Sequence, residues 1–226
     1  QLEGVRTLKP AIAAVLNITP DHLDRHGNMT EYIRAKSRIF ARQTSEDYLI
    51  LNFDDKIVAA FAKAAKARVC FFSRTQELKE GAFLSEGSFV MVWNGQRQVI
   101  CAAREMRIFG SHNEENALAA IACASLAGVP TERIREVLTT FQGVEHRLEY
   151  VTEINGVPYY NDSKATNPDS TIKALQSFTG GIILLAGGRD KNTDLGEMMA
   201  LAKTKVDALI LLGEAKERFR AAAAEA

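Results

Sequence analysis

Apolar residues in this chain fall into short runs separated by amphipathic stretches and polar turns, and that spacing predicts an α/β protein. Ala13-Ala14-Val15-Leu16-Asn17-Ile18 is an apolar run ending at Thr19-Pro20, the pattern of a buried strand feeding a loop. Thr30 stands where it could cap a helix over residues 30–42, with Tyr32, Ile33, Ile39 and Phe40 as apolar positions. Residues 48–52 read as a second strand, 56–65 as an amphipathic helix and 68–73 as a third strand. Alternation of this kind argues for parallel strands in an α/β layer.

The texture then changes. Residues 82–84, 89–93 and 97–100 are short strand-like runs separated by Glu86-Gly87-Ser88 and by Asn94-Gly95, the latter a strong type I′ hairpin signal. They predict an antiparallel ribbon inserted late in the first domain. A long helix over about residues 113–127 follows, closed by Gly128, and Thr131 opens another reaching about Phe141. The candidate boundary is Gln142-Gly143, giving domains at 1–143 and 144–226. Beyond it come a hairpin (148–154 and 157–161, turning at Asn155-Gly156), a polar loop, a helix near 170–178 and an apolar strand at 182–186. Gly187-Gly188 breaks that strand, and a helix near 195–203 leads to a strand at 208–212: a second α/β unit, cut short.

Composition narrows the function. With 226 residues, 46% of them hydrophobic and 25% charged, the chain can bury a real core. Lysine plus arginine (28) balances aspartate plus glutamate (28), which argues against a coat for nucleic acid or an anionic membrane. Cys70, Cys101 and Cys123 lie in apolar surroundings without CxxC spacing, as buried thiols of a reducing compartment do. No leader is visible and no apolar run approaches the ~18 residues of a membrane span, so the cytoplasm is the default. The opening on Gln1 and the closing run Ala221-Ala222-Ala223-Ala224-Glu225-Ala226, helical without a stop signal, suggest a fragment.

Several clusters could carry chemistry. Asp21-His22-Leu23-Asp24-Arg25-His26 follows the first strand, where open α/β sheets collect ligands; its carboxylates and imidazoles suit a metal, or else they cap a short helix. Lys36, between Arg34 and Arg38, reads unaided as part of a solvated face. Gly110-Ser111-His112-Asn113-Glu114-Glu115-Asn116 precedes the longest helix: Ser111 or Asn113 could cap it, while an asparagine amide matches the donor–acceptor edge of adenine. Arg147, in Glu145-His146-Arg147, suits phosphate or ribose through its donor fork, or an interdomain salt bridge. Tyr160-Asn161-Asp162-Ser163-Lys164-Ala165-Thr166-Asn167-Pro168-Asp169-Ser170 is a polar loop between strand and helix, either a surface connection or a site for a nucleotide or an acidic substrate. Gly187-Gly188-Arg189-Asp190-Lys191 repeats that placement one strand later.

These motifs, in this order, resemble the Mur ligase family. The matching pieces are the run from Leu16 through His26, Tyr32-Ile33-Arg34-Ala35-Lys36, residues 110–120, Glu145-His146-Arg147-Leu148-Glu149, Asn161 through Pro168, and Gly187-Gly188-Arg189-Asp190-Lys191. Asp162-Ser163-Lys164-Ala165-Thr166-Asn167 resembles most closely the D-glutamate-adding branch. The resemblance implies a P-loop-type central domain with an antiparallel strand insertion, followed by a truncated Rossmann-like C-terminal domain. It implies ATP-dependent joining of D-glutamate to UDP-N-acetylmuramoyl-L-alanine through an acyl phosphate, with ATP and Mg²⁺ as cofactors and the protein monomeric. Another Mur-type or folylpolyglutamate-type amide ligase, or a nucleotide-binding remnant without catalysis, is the alternative.

Carried over by resemblance, His22 and Lys36 are the metal-associated and catalytic residues, Lys36 as a carbamate. Asn113, Asn116, Arg147 and Asp162 bind the nucleotide, with Asn116 against adenine. Ser163, Lys164, Thr166 and Lys191 serve the substrates, Lys164 catalytically. The family's Gly-Lys-Ser/Thr phosphate loop is absent from these residues, as are its uridine-nucleotide domain and the end of its C-terminal domain. The polypeptide of residues 1–226 is therefore expected to have no ligase activity alone. ADP release from it that depends on both substrates contradicts that expectation.

Overall fold

The computed structural model describes residues 2–20, 23–190 and 192–226, with the side chains of Leu23 and Asp24 left aside. The chain folds as two units, Gln1–Gln142 and Gly143–Ala226.

In the first unit the described elements run β1 (Ile12–Val15), α1 (Leu23–His26), α2 (Met29–Ser37), β2 (Tyr48–Asn52), α3 (Lys56–Ala60), β3 (Arg68–Ser73), β4 (Gly81–Ser85), β5 (Ser88–Trp93), β6 (Gln96–Ala102), α4 (Ser111–Leu126) and α5 (Thr131–Thr140). One six-stranded sheet holds β1 to β6 in sequence order. β1, β2, β3 and β4 pair parallel, and β4, β5 and β6 pair antiparallel. The antiparallel ribbon expected late in the first domain is β4 to β6, and it extends the parallel sheet.

Sequential parallel strands with right-handed crossovers put their connecting helices on one face. Accordingly α2 and α3 cover Ala13, Val15, Leu49 and Leu51 through Tyr32, Val58 and Phe61. The opposite face is taken by α4, whose Ala117, Leu118, Ile121 and Ala122 pack on Ile50, Cys70, Phe72, Phe89 and Ile100. Alanines let this helix approach the sheet closely, which leaves its N-terminal turn no freedom to slide. Asn94 and Gly95 both have positive φ (51° and 75°), as the type I′ turn between β5 and β6 requires.

Helix starts depart from the sequence reading. Asn28, not Thr30, caps α2: its side chain accepts from Glu31 N at 3.0 Å. The regular helix ends at Ser37, with turns continuing to Arg42. Helix α4 begins at Ser111 behind Gly110, which has φ 101° and no capping side chain. Asn113 turns its amide back onto Phe109 O at 2.8 Å.

The second unit comprises the hairpin β7 (Glu149–Ile154) and β8 (Val157–Asn161), α6 (Pro168–Gln176), β9 (Ile182–Gly187), α7 (Gly196–Lys205), β10 (Val206–Leu212) and α8 (Lys216–Glu225). Asn167 caps α6 by accepting from Ser170 N at 2.8 Å, with Pro168 at the first helical position, where its missing N–H costs nothing. β9 and β10 pair parallel. A small core of Ile172, Leu195, Met198 and Met199, joined by Leu209 and Phe219, lies beside them. The other face of the strand pair, with Ile183, Leu185, Ile210 and Leu212, is exposed.

Candidate functional site

Polar side chains tie together the loops that leave the carboxyl ends of β1, β2 and β3. Asn52 is 4% exposed; its amide donates to Leu16 O at 2.9 Å and its carbonyl accepts from Asp54 N at 2.9 Å. Asp55 caps α3 with one oxygen, accepting from Ile57 N and Val58 N, and with the other accepts from Ile18 N at 2.9 Å. The chain just ahead of Asp21 and His22 is thus anchored to the start of α3. Asp54 accepts from Ser73 Oγ at 2.7 Å, Thr75 Oγ1 at 2.6 Å and Arg74 N at 2.8 Å. Burial pushes the Asp54 carboxyl up, but those hydrogen bonds outweigh it and hold the group below the usual carboxylate range. Arg74 in turn lies 3.6 Å from Glu114 and 3.7 Å from Glu115, in the first two turns of α4. Those turns carry the two predicted nucleotide contacts. Asn116 is exposed and its amide lies 3.4 Å from Asn113 Oδ1, at the edge of hydrogen bonding.

Lys36, in the last turn of α2, is half-buried with its Nζ 5.2 Å from the centre of the Tyr32 ring. The His26 ring stacks on the same tyrosine at 5.3 Å. An ammonium over an aromatic face is favourable, and it offers no lone pair to a cation. His22 and Lys191, two of the predicted site residues, lie outside the described residues. Among the described residues no three His, Cys, Asp or Glu side chains converge as a metal site. The described side chains therefore do not by themselves fit Mg²⁺. Burial pushes the Cys70 thiol up to about 12 and raises those of Cys101 and Cys123, which disfavours their thiolates.

In the second unit hydrogen bonds link the segments that carry Arg147, Asp162, Ser163 and Lys164. Asp162 Oδ1 accepts from Leu148 N at 3.0 Å, and Lys164 N donates to His146 O at 3.1 Å. Asn161 Nδ2 lies 2.9 Å from His146 Nδ1, and its carbonyl accepts from Ser163 N at 3.1 Å. Glu149 accepts from His146 N at 2.7 Å. The segments at the two ends of the β7–β8 hairpin are thereby fixed side by side, with His146 and Leu148 in the left-handed region (φ 68° and 47°). Strain in non-glycine residues of this kind gathers at functional sites. Arg147, Ser163, Lys164 and Thr166 are exposed around this frame, so it presents two cations and two hydroxyls on a fixed backbone. A frame of this chemistry suits an anionic ligand.

Asn52, Asp54, Asp55 and Arg74 escaped the sequence reading. Their signal was available: Asn52-Phe53-Asp54-Asp55 directly follows a strand, the same placement that drew attention to Asp21 and His22.

Polar loops at the carboxyl ends of parallel strands define a ligand-binding α/β protein. The chain belongs to the Mur ligase family: the Mur ligase middle domain matches residues 1–124, and the Mur ligase glutamate ligase domain matches residues 146–226. It is 48% identical over 214 residues to the UDP-N-acetylmuramoylalanine–D-glutamate ligase of Pelotomaculum thermopropionicum, covering 95% of this chain and 47% of that protein. To the protein of the same name from Acidobacterium capsulatum it is 47% identical over 221 residues, 97% of this chain and 48% of that one. It thus spans about half the length of these curated relatives. Its fold is also that of MurF from Acinetobacter baumannii, with a TM-score of 0.74 at 24% identity, over 96% of this chain and 49% of that chain.

The lowered Asp54 pKa has a consequence for stability. A carboxylate whose folded pKa is depressed stabilises the fold above its ordinary value and loses that contribution as pH falls through the folded one. Asp54→Asn is expected to flatten the acid limb of a melting-temperature profile between about pH 5 and pH 2. An unchanged slope contradicts this account of Asp54.

Proposed function

We propose that the full-length protein carrying this chain joins D-glutamate to UDP-N-acetylmuramoyl-L-alanine, with ATP cleaved to ADP and phosphate, in the synthesis of peptidoglycan precursor. The observation that carries this reading is the 48% identity, across 95% of the chain, to a protein named UDP-N-acetylmuramoylalanine–D-glutamate ligase. No helix among the described residues is long and apolar enough to cross a membrane, and the free thiols suit the reducing cytoplasm that this reading implies.

A carboxylate is a poor electrophile. ATP, when bound, supplies the phosphoryl group that turns the substrate carboxylate into an acyl phosphate, which the incoming amine then attacks. The chain's own residues would bind, orient and neutralise charge. Asn116, exposed at the start of α4, would read the adenine edge, while the Asn113 amide is spent on Phe109 O and secures the turn. Arg147 and Asp162 would take the nucleotide phosphates and ribose. Lys164 and Thr166, with Ser163, would face the anionic substrates, and Lys191 would serve D-glutamate. Bringing anions together is costly unless cations meet them, and the frame of residues 146–148 and 161–164 fixes the backbone from which Arg147 and Lys164 extend. By resemblance His22 and Lys36 would hold the metal, Lys36 only as a carbamate formed when its neutral amine adds CO₂ and a proton leaves; the ammonium over Tyr32 is not itself a ligand.

Phosphate release by the full-length protein, given ATP and UDP-N-acetylmuramoyl-L-alanine, tests the assignment. D-glutamate is expected to stimulate release, whereas L-glutamate, L-lysine and diaminopimelate are not. Stimulation by one of those three in place of D-glutamate overturns the proposal.

A further inference from the structure

The loop between β9 and α7 is held by contacts that no substrate role explains. Gly187 has φ 136°, and a Cβ there would stand 1.9 Å from Leu212 O. Gly213 has φ 79°, and its Cβ would meet the Gly188 backbone at 2.8 Å. The chains leaving β9 and β10 therefore cross backbone against backbone, with Gly188 N donating to Leu212 O at 2.9 Å and Ala215 N to Gly188 O at 3.0 Å.

From that crossing α8 starts, and its Arg218 reaches back to the loop. Arg218 Nε stands 3.0 Å from each oxygen of Asp190, and a terminal nitrogen donates to Thr193 O at 2.6 Å. Asp190 Oδ1 also accepts from Asn192 N at 2.8 Å. One guanidinium thus grips the loop at residue 190 and again at residue 193, on both sides of Lys191 in the sequence. Both side chains are about two-thirds removed from solvent, at 31% and 29% exposure, so the pair is more than a surface ion pair screened by salt. Only a planar fork serves a carboxylate and a carbonyl in two directions at once; an ammonium is a single point charge.

We propose that Arg218 is the positioning residue for the amino-acid substrate: its grip on Asp190 and Thr193 holds the described residues on either side of the one assigned to that substrate's carboxylate. This rests on the assignment of D-glutamate to Lys191 made above. Arg218 itself touches no substrate.

Steady-state kinetics of the full-length protein test it, with Arg218→Lys, Arg218→Ala and Asp190→Asn read against wild type. Arg218→Ala is expected to raise KM for the amino acid about tenfold or more, with KM for ATP within about twofold, since only one anion loses its preset loop. Arg218→Lys should recover a minor part of the loss, because it restores charge but not the fork. Combining Arg218→Ala with Asp190→Asn should add little, as expected of partners in one contact. An unchanged amino-acid KM in Arg218→Ala overturns the inference, as does a parallel rise in both KM values with a lowered melting temperature. If Arg218→Ala does not fold, Arg218→Lys decides alone: an unchanged amino-acid KM in that variant overturns the inference. Wild-type protein that takes an amino acid other than D-glutamate sinks the earlier assignment, and the Arg218 effect is then read on that acid. Wild-type protein that consumes no amino acid overturns both.

Discussion

Leu49, Ile50 and Leu51 are entirely removed from solvent and point alternately to the two helical layers, so strand β2 has no face it can offer to water. Parallel strands buried on both faces read as continuous apolar runs, and this one must pair with a neighbour on either edge to satisfy its backbone. β1 and β3 supply those edges in matched register, from Ile12 against Tyr48 and from Tyr48 against Arg68. With three strands locked side by side, their carboxyl ends emerge together. Asn52, Asp54, Asp55 and Arg74 are then arranged on that rim.

The rim is where packing becomes chemistry. Asn52 closes β2, Asp54 and Asp55 come just after it, and between them they reach the end of β1, the end of β3 and the start of α3. Arg74 passes the connection on to α4, whose alanine-lined face fixes where Asn113 and Asn116 stand. The second unit reaches a similar end with a smaller core. There, glycines allow two loops to cross at van der Waals contact, and hydrogen bonds to backbone groups hold residues 146–148 against 161–164.

Residue pattern alone recovered much of this. Strands at Tyr48–Asn52 and Arg68–Ser73 were legible to the residue, because a buried strand needs an unbroken apolar run and tolerates little else. Helix starts were less so: Thr30, Ser111 and Ser170 are all competent caps, yet Asn28, Gly110 and Asn167 occupy the cap positions. Which polar residue becomes a cap depends on the backbone angle with which the chain enters the helix, and that is decided by packing. The contacts of Asp54 and Arg218 span 19 to 28 residues and leave no local trace. Lys36 shows the opposite limit. Its neighbours in sequence describe a solvated helix face, and only resemblance to a family singles it out.

On the proposed reading, the start of α4, beside the rim of the parallel strands, receives the adenine of the nucleotide. A crystal structure of the full-length protein with ADP decides this. The adenine edge is expected within hydrogen-bonding distance of the Asn116 amide, with Arg74 still beside Glu114 and Glu115. Adenine bound away from the start of α4 would contradict it.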